Sequence, residues 1–467
     1  MRCGDSPPDP AAAPGSVADG LDLLRQLQAG EPTAGTSTIR GGHRAALARL
    51  AAIDPERYGA SRNHLDGAVT RLSPYISHGV LSLAEVRDAV FAWLAATGRE
   101  PAAAAKLISE LAWRDYWQRL WCQWGDGIWH DREVGPAAAV SAGPLQPHLP
   151  ADLAGARTGL ACMDAFSRDL QAEGWLHNHA RLWLASYVVH WRRVRWQAGA
   201  AWFLRHLLDG DAASNNLSWQ WVAGTFSSRP YIFNRENLER FSGGGYCRQC
   251  ALAGAGCPFE ASYEELQRRL FAPPPAAARP ASPNRAAPPM APEAPVPSPP
   301  PPPAVPQRPI VWVHDEALGP ANPALQAWPG APALFVFDPG RIGADPATGQ
   351  EPLSAGRLVF VHECLLELPV TIKFGASLEQ LLAFAARHGA DGIVTSRAVD
   401  PWLRRLQRQL ADRLPLVILA PPPFVPASAD QEAPLPLGRF SRYWRRAAPL
   451  VWSAFTAPPA VIPAARP

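Results

Sequence analysis

Hydrophobic and polar positions recur along this chain with two different periods. From about Ile39 to Phe271 apolar residues return every three or four positions, the spacing that lines one face of an α-helix. The segments LSLAEVRDAVFAWLAA (81–96) and KLISELAWRDYWQRLW (106–121) show it most clearly. Ser82, followed three positions later by Glu85, is the pattern of a helix-opening capping box. Beyond Arg308 the period shortens. RPIVWVHD, ALFVFD, VTIKFG, GIVTS and LPLVILA are short apolar runs of strand character, separated by the helical stretches SLEQLLAFAARHG and DPWLRRLQRQLADRL. Strands alternating with helices predict a parallel sheet covered by helices on its faces.

Composition divides the same regions. Of the 52 prolines many fall between Pro273 and Pro309, including the run PSPPPPPAVP. Such a segment builds no core and is expected to be an extended, semi-rigid spacer between two folding units. The expected organisation is therefore a disordered 1–36, rich in Ala, Gly and Pro, a helical domain over 37–271 and a linker over 272–309. An α/β Rossmann-like domain over 310–430 and a basic aromatic tail over 431–467 complete it. With 467 residues, both main units are long enough to bury a core. Of the 18 tryptophans, 12 fall from Trp113 to Trp221, so the helical unit carries an unusual aromatic load.

Charge and cysteine content narrow the setting. A formal charge of +3 signals no strongly basic nucleic-acid glove, so contact with DNA has to come from a local patch. No apolar run reaches the length of a membrane span and the first residues lack a signal pattern, which predicts a cytoplasmic protein with no membrane partner. In that compartment the seven cysteines are expected as thiols or metal ligands. YCRQCALAGAGCPFE spaces Cys247, Cys250 and Cys257 as CxxC-x6-C, a moderately specific metal signal, and Cys162 in GLACMD supplies a fourth thiol. Iron–sulfur, four-thiolate zinc and unliganded thiols all remain open on spacing alone.

Four polar islands interrupt the helical unit: TRLSPYISHG (70–79), ELAWRDYW (110–117), GWLHNHARLW (174–183) and DGDAASNNLSWQWVAGT (209–225). The hydroxyls of Thr70 and Ser73 suit a phosphate at a helix start and equally an ordinary helix cap. Glu110, Trp113, Arg114 and Trp117 recur at three- and four-residue steps and share one helix face. A Glu in that position is usually half of a salt bridge; in a partly dry pocket its pKa rises and it can donate a proton. Two tryptophans directly after Asp209–Asn216 argue against a mere surface turn there.

Taken together, these four blocks, in this order, closely resemble the FAD-binding domain of the DNA photolyase and cryptochrome family. The resemblance implies that Thr70, Arg71, Leu72 and Ser73 belong to the loop that binds the FAD diphosphate, with Val69 replacing a Thr usual in the family. It gives Glu110 a hydrogen bond to the damaged pyrimidine and makes Trp113 and Trp221 walls of the lesion pocket. Asn178 matches an Asn that contacts flavin or lesion, where photolyases for (6-4) lesions usually carry His, so cyclobutane dimers are favoured. Leu182 replaces a Met common in dimer photolyases. Arg181 is expected to pair with Asp209, Asp211 to contact the flavin and Asn215 to stand opposite its N5.

Trp219 and Trp196 match the first two members of the family's electron-transfer chain. The third, expected around Gly143, has no counterpart, so the chain either ends early or uses another residue such as Trp191 or Tyr187. Cys162 with Cys247, Cys250 and Cys257 is similar to the set that holds a [4Fe-4S] cluster in iron–sulfur bacterial cryptochromes and photolyases. VWVHDEALGPANPAL…ALFVFDP resembles the opening of the α/β domain that precedes the flavin domain in relatives, so the domain order here would be permuted. An antenna chromophore lies between these domains in relatives, but no motif identifies one. The resemblance thus implies a monomeric lyase that repairs pyrimidine dimers in duplex or single-stranded DNA. A photoreceptor without repair, a (6-4) photolyase and a degenerate flavin protein that merely binds DNA or a partner are the alternatives.

Overall fold

A computed structural model describes residues 22, 24, 37–133, 144–227, 229–254, 256–271, 305–343, 352–426 and 434–456. The spacer expected over 272–309 falls outside these residues up to position 304, and so does most of the segment 1–36, of which Leu24 is helical and buried. The period-3.6 region forms a succession of helices, from His43–Ala51 at its start to Tyr263–Phe271 at its end.

The helices that build the site begin and end where side-chain chemistry dictates. Ser82 and Glu85 close the capping box of the Leu83–Thr97 helix, and Gly98 at φ +61° ends it in the left-handed conformation that glycine adopts without strain. Ala105–Trp124 runs for 20 residues and buries Leu107, Ile108, Leu111, Ala112, Tyr116 and Leu120. Asp211 caps the Ala212–Ala223 helix by accepting from the backbone N–H groups of Ala213 and Ser214. A π-helical turn, Tyr187–Trp191, follows Asn178–Ser186 and precedes Trp196–His206.

The five apolar runs of the second region form one parallel sheet: β1 Pro309–Trp312, β2 Ala333–Phe337, β3 Thr371–Phe374, β4 Gly392–Ser396 and β5 Leu416–Leu419. Their order is β3-β2-β1-β4-β5. The central strands β1, β2 and β4 are buried along their whole length, as a sheet covered on both faces requires, while the edge strands leave Thr371 and Ile418 exposed. The strand order reverses between β1 and β4, and the crevice outside the carboxyl ends of strands at such a reversal is where open α/β sheets take ligands.

Two folding units were expected, yet one hydrophobic core runs through both. Leu72, Tyr75, Leu111 and Tyr116 of the helical half join Val311, Val313, Leu358 and Phe360 of the α/β half in a single buried cluster. The Ala355–Leu365 helix makes this possible because it is buried nearly all round, and Phe360 meets Tyr75 at 5.4 Å between ring centroids. The segment read as a tail is a helix, Phe440–Thr456, whose Tyr443, Ala447 and Val451 enter the same cluster at four-residue steps. A second core, around Trp183, Phe233 and Phe259, belongs to the helical half alone, and a third fills the other face of the sheet. Among the described residues no helix is long and apolar enough to cross a membrane.

Candidate functional site

All four polar islands meet in one network. Arg181 Nη2 donates to both carboxylate oxygens of Asp209, at 3.0 and 2.8 Å. Ser73 also hydrogen-bonds this carboxylate, and Ser77 Oγ donates to the Asp209 carbonyl at 3.2 Å. Asp209 is 5% exposed. Burial by itself would raise its pKa, but the Arg181 charge, the bonds from Ser73 and Arg181, and Arg114 together hold it below the ordinary carboxylate range. Asp211, besides capping its helix, accepts from Gln118 Nε2 at 2.8 Å and Arg114 Nη1 at 3.3 Å. Arg114 also donates to Ser77 Oγ at 3.0 Å. Thr70 Oγ1 accepts from the Leu72 N–H, Leu72 is buried, and Arg71 takes φ +50°, rare for a residue with a side chain. That turn lays the Arg71 guanidinium 4.6 Å from the centre of the Trp175 ring.

The other predicted residues stand as follows. Asn215 lies one turn beyond Asp211 and donates Nδ2 to the Ala200 carbonyl and to Asn216 Oδ1, both at 3.0 Å. Asn178 is the exposed first residue of its helix. Glu110 is ion-paired with Lys106 at 2.7 Å and Arg62 at 3.5 Å, the ordinary fate of a Glu on a helix face. Trp113 stacks face to face on Phe440, 3.6 Å between centroids and 10° between planes. Trp221, 36% exposed, packs on Tyr231 at 5.6 Å. No hydrogen bond or ring contact joins Trp113 to Trp221, or Glu110 to Asn178, among the described residues.

Trp219 and Trp196 are both buried, on adjacent helices. Trp191 donates Nε1–H to the Pro258 carbonyl at 3.3 Å and packs on Phe233 and Phe259, so it adjoins the cysteine loop. Tyr187 also packs on Phe259. The position around Gly143 lies outside the described residues.

Cys162, Cys247, Cys250 and Cys257 line one small cavity with Leu160, Arg235 and Phe259. The described cysteines are all free thiols. Burial pushes Cys162 up to about 12 and Cys247 up to about 11. Among the described residues no group of three or more His, Cys, Asp or Glu side chains is arranged to hold a metal ion.

A second, larger cavity of about 950 Å³ separates the halves. The helical half contributes Ser77, Arg114, Gln118, Trp121 and Asp211, and the α/β half contributes Asp315 and Glu316 beyond β1, Arg341 beyond β2, and Ser396 and Asp400 at and beyond the end of β4. Asp211 is the single predicted site residue on its wall. Arg341 clamps Asp315 at 3.0 Å and Asp400 at 2.5 Å, while Glu316 accepts from the Val399 and Asp400 N–H groups. Burial, with Asp400 beside it, raises Glu316 to about 8. Arg357 crosses from the α/β half to the carbonyls of Leu204 and Gly210, at 3.0 and 2.7 Å, and so fixes the backbone between Asp209 and Asp211.

Arg114, Gln118 and Phe440 were not among the predicted site residues. Arg114 carried a signal, its place one turn from Glu110 in a motif already singled out. The partnership of Phe440 with Trp113 carried none.

The family model for the FAD-binding domain of DNA photolyase matches residues 107–242. The chain is 36% identical over 166 residues to the deoxyribodipyrimidine photo-lyase of Streptomyces griseus, covering 34% of this chain and 32% of that protein. It is 34% identical over 205 residues to a deoxyribodipyrimidine photo-lyase of Thermus thermophilus, covering 41% and 46%. Among solved structures, a bacterial class III photolyase from Agrobacterium tumefaciens aligns with a TM-score of 0.40 and 24% identity, over 50% of this chain and 55% of that one. The chain thus spans about a third to a half of the length of the curated relatives it matches.

Proposed function

We propose that the helical half of this chain is a photolyase-type FAD-binding domain, as its match to that family model over residues 107–242 supports, and that the protein binds FAD and uses light to repair pyrimidine dimers in DNA. The observation that carries this reading is the Arg181–Asp209–Ser73 and Arg114–Asp211 network, with Asn215 one turn away. Bound FAD supplies the light-absorbing electron donor; the chain's residues bind and orient it.

The donor set fits such a group. Thr70 and Ser73 offer hydroxyls and Arg71 a cation to a diphosphate. The buried Arg181–Asp209 pair supplies a fixed dipole beside a ring that changes charge. Asn215 offers a neutral amide to N5. Trp113 and Trp221 take the walls of a pocket into which the lesion is flipped, with Glu110 and Asn178 as its hydrogen-bonding partners. Glu110 must then leave Lys106 and Arg62 when DNA binds.

Arg442, Arg445 and Arg446 are exposed on the helix whose Phe440 covers Trp113, and they supply the local basic patch that the overall charge does not. The four-cysteine cavity is proposed to hold a [4Fe-4S] cluster on the likeness of its cysteines to the set in iron–sulfur bacterial cryptochromes and photolyases, with zinc as the rival. The interdomain cavity, at the reversal of strand order, is assigned to an antenna chromophore, and the domain order is a permutation of that in relatives.

The test is light-dependent repair of an oligonucleotide carrying one defined cyclobutane dimer by protein with fully reduced flavin. Restored thymines are expected under blue light and none in the dark. Absence of turnover with bound, reduced flavin overturns the enzyme reading. A photoreceptor without repair is the second reading, and the closed state of Glu110 and Trp113 is what favours it.

A further inference from the structure

The helices that carry Trp219 and Trp196 pack against each other, and Gly199 is where the Trp219 ring meets the helix of Trp196. The Trp219 ring lies over Gly199 so tightly that a Cβ there would stand 2.3 and 2.4 Å from its ring carbons. Gly199 is one turn beyond Trp196 on the Trp196–His206 helix. Both indoles are shut away from water, Trp219 at 2% and Trp196 at 3% exposure. The N–H of Trp196 nevertheless reaches outward: Nε1 donates to Asp131 Oδ1 at 2.5 Å. Asp131 is exposed, just past the Gly125–Trp129 turn, and Gln197 Nε2 lies 3.4 Å from the same oxygen and from the Trp129 carbonyl. A buried, oxidisable ring therefore has its sole acidic proton aimed at a solvated carboxylate.

We infer that Asp131 accepts the Nε1 proton of Trp196 when that ring is oxidised, which makes the carboxylate the terminus of the light-driven relay. The inference rests on the proposed reading of Trp219 and Trp196 as electron donors to a bound flavin. With FAD bound, Trp219 would supply an electron to the light-excited flavin and Trp196 would refill Trp219. The Nε1–H bond of Trp196 then breaks, an O–H bond forms on Asp131, and a neutral indole radical is left. One electron has passed from Trp196 to the flavin and one proton from Trp196 to Asp131, which exchanges it with water. Loss of the proton removes the positive charge that would draw the electron back. The arrangement lets a relay of two tryptophans hold its charge separation at the surface.

Transient absorption of the FAD-loaded protein after a flash, in H2O and D2O, tests this with Asp131→Asn and Asp131→Glu. The wild type should pass from the indole radical cation to the neutral radical with a solvent isotope effect. Asp131→Asn should slow that step by about 100-fold, the scale of a positioned base, and Asp131→Glu should restore most of it. A readout without flavin or light is the indole N–H resonance of Trp196, which should move upfield in Asp131→Asn and report that the fold is intact. Unchanged deprotonation in Asp131→Asn overturns the role of Asp131 while leaving the relay standing. Absence of any tryptophan radical in the wild type overturns both.

Discussion

Arg181 reaches across 28 positions of sequence to hold both oxygens of the buried Asp209 carboxylate. The pair joins the second half of the helical domain to the loop that opens it, because Ser73 and Ser77 bond the same aspartate. Charge, burial and the polar islands meet at this one residue.

Removing Arg181 leaves that carboxylate buried with much of its compensation gone. Arg181→Ala is expected to destabilise the fold by about 3 kcal/mol, measured by urea unfolding, and to abolish retention of FAD. The pH dependence has a definite sign. Asp209 is held below its unfolded value, so its contribution is complete above about pH 4 and is lost as pH falls through the lower folded value. The stability gap between wild type and Asp209→Asn should therefore close on acidification; a gap independent of pH refutes this account.

Phe440 stacks on Trp113 at 3.6 Å, and Phe440→Ala removes that cover. A loss of about 1 kcal/mol beyond the area term is expected, with a red shift in tryptophan emission as Trp113 meets water. Unaltered emission would show that another group already shields the ring.

Replacing any one of Cys162, Cys247, Cys250 or Cys257 by Ser should remove the broad visible absorption of anaerobically purified protein and leave FAD bound. Metal analysis by mass spectrometry should then find iron falling to background. Zinc in the wild type at one equivalent would reassign the site.

Gly199→Ala sets a methyl group against Trp219. Overpacking of this kind is expected to cost about 1–3 kcal/mol, against a smaller gain in helix propensity. Thermal unfolding of the variant gives the sign, and a stabilised protein would mean that the ring shifts freely.

Much of the fold could be read locally. Ser82 and Glu85 announced a helix start, and the apolar runs from Ile310 to Leu419 announced five strands, because capping and periodicity act over a few neighbours. The Arg181–Asp209 pair came from resemblance, since nothing in spacing joins the two. The stacking of Phe440 on Trp113 and the bond of Trp196 to Asp131 were not legible at all. Both depend on chain segments brought together by the shared core, and a tail rich in Arg and aromatic residues looks alike whether it is solvated or packed.

Protein synthesis adds one more consequence to the Phe440–Thr456 helix. Tyr443, Ala447 and Val451 leave the ribosome after the helical and α/β segments they pack on, so the seam they close stays open while those segments are already outside. The helical half must wait, with apolar surface uncovered, for its final piece. Exposed apolar surface of this kind is what chaperones bind during synthesis.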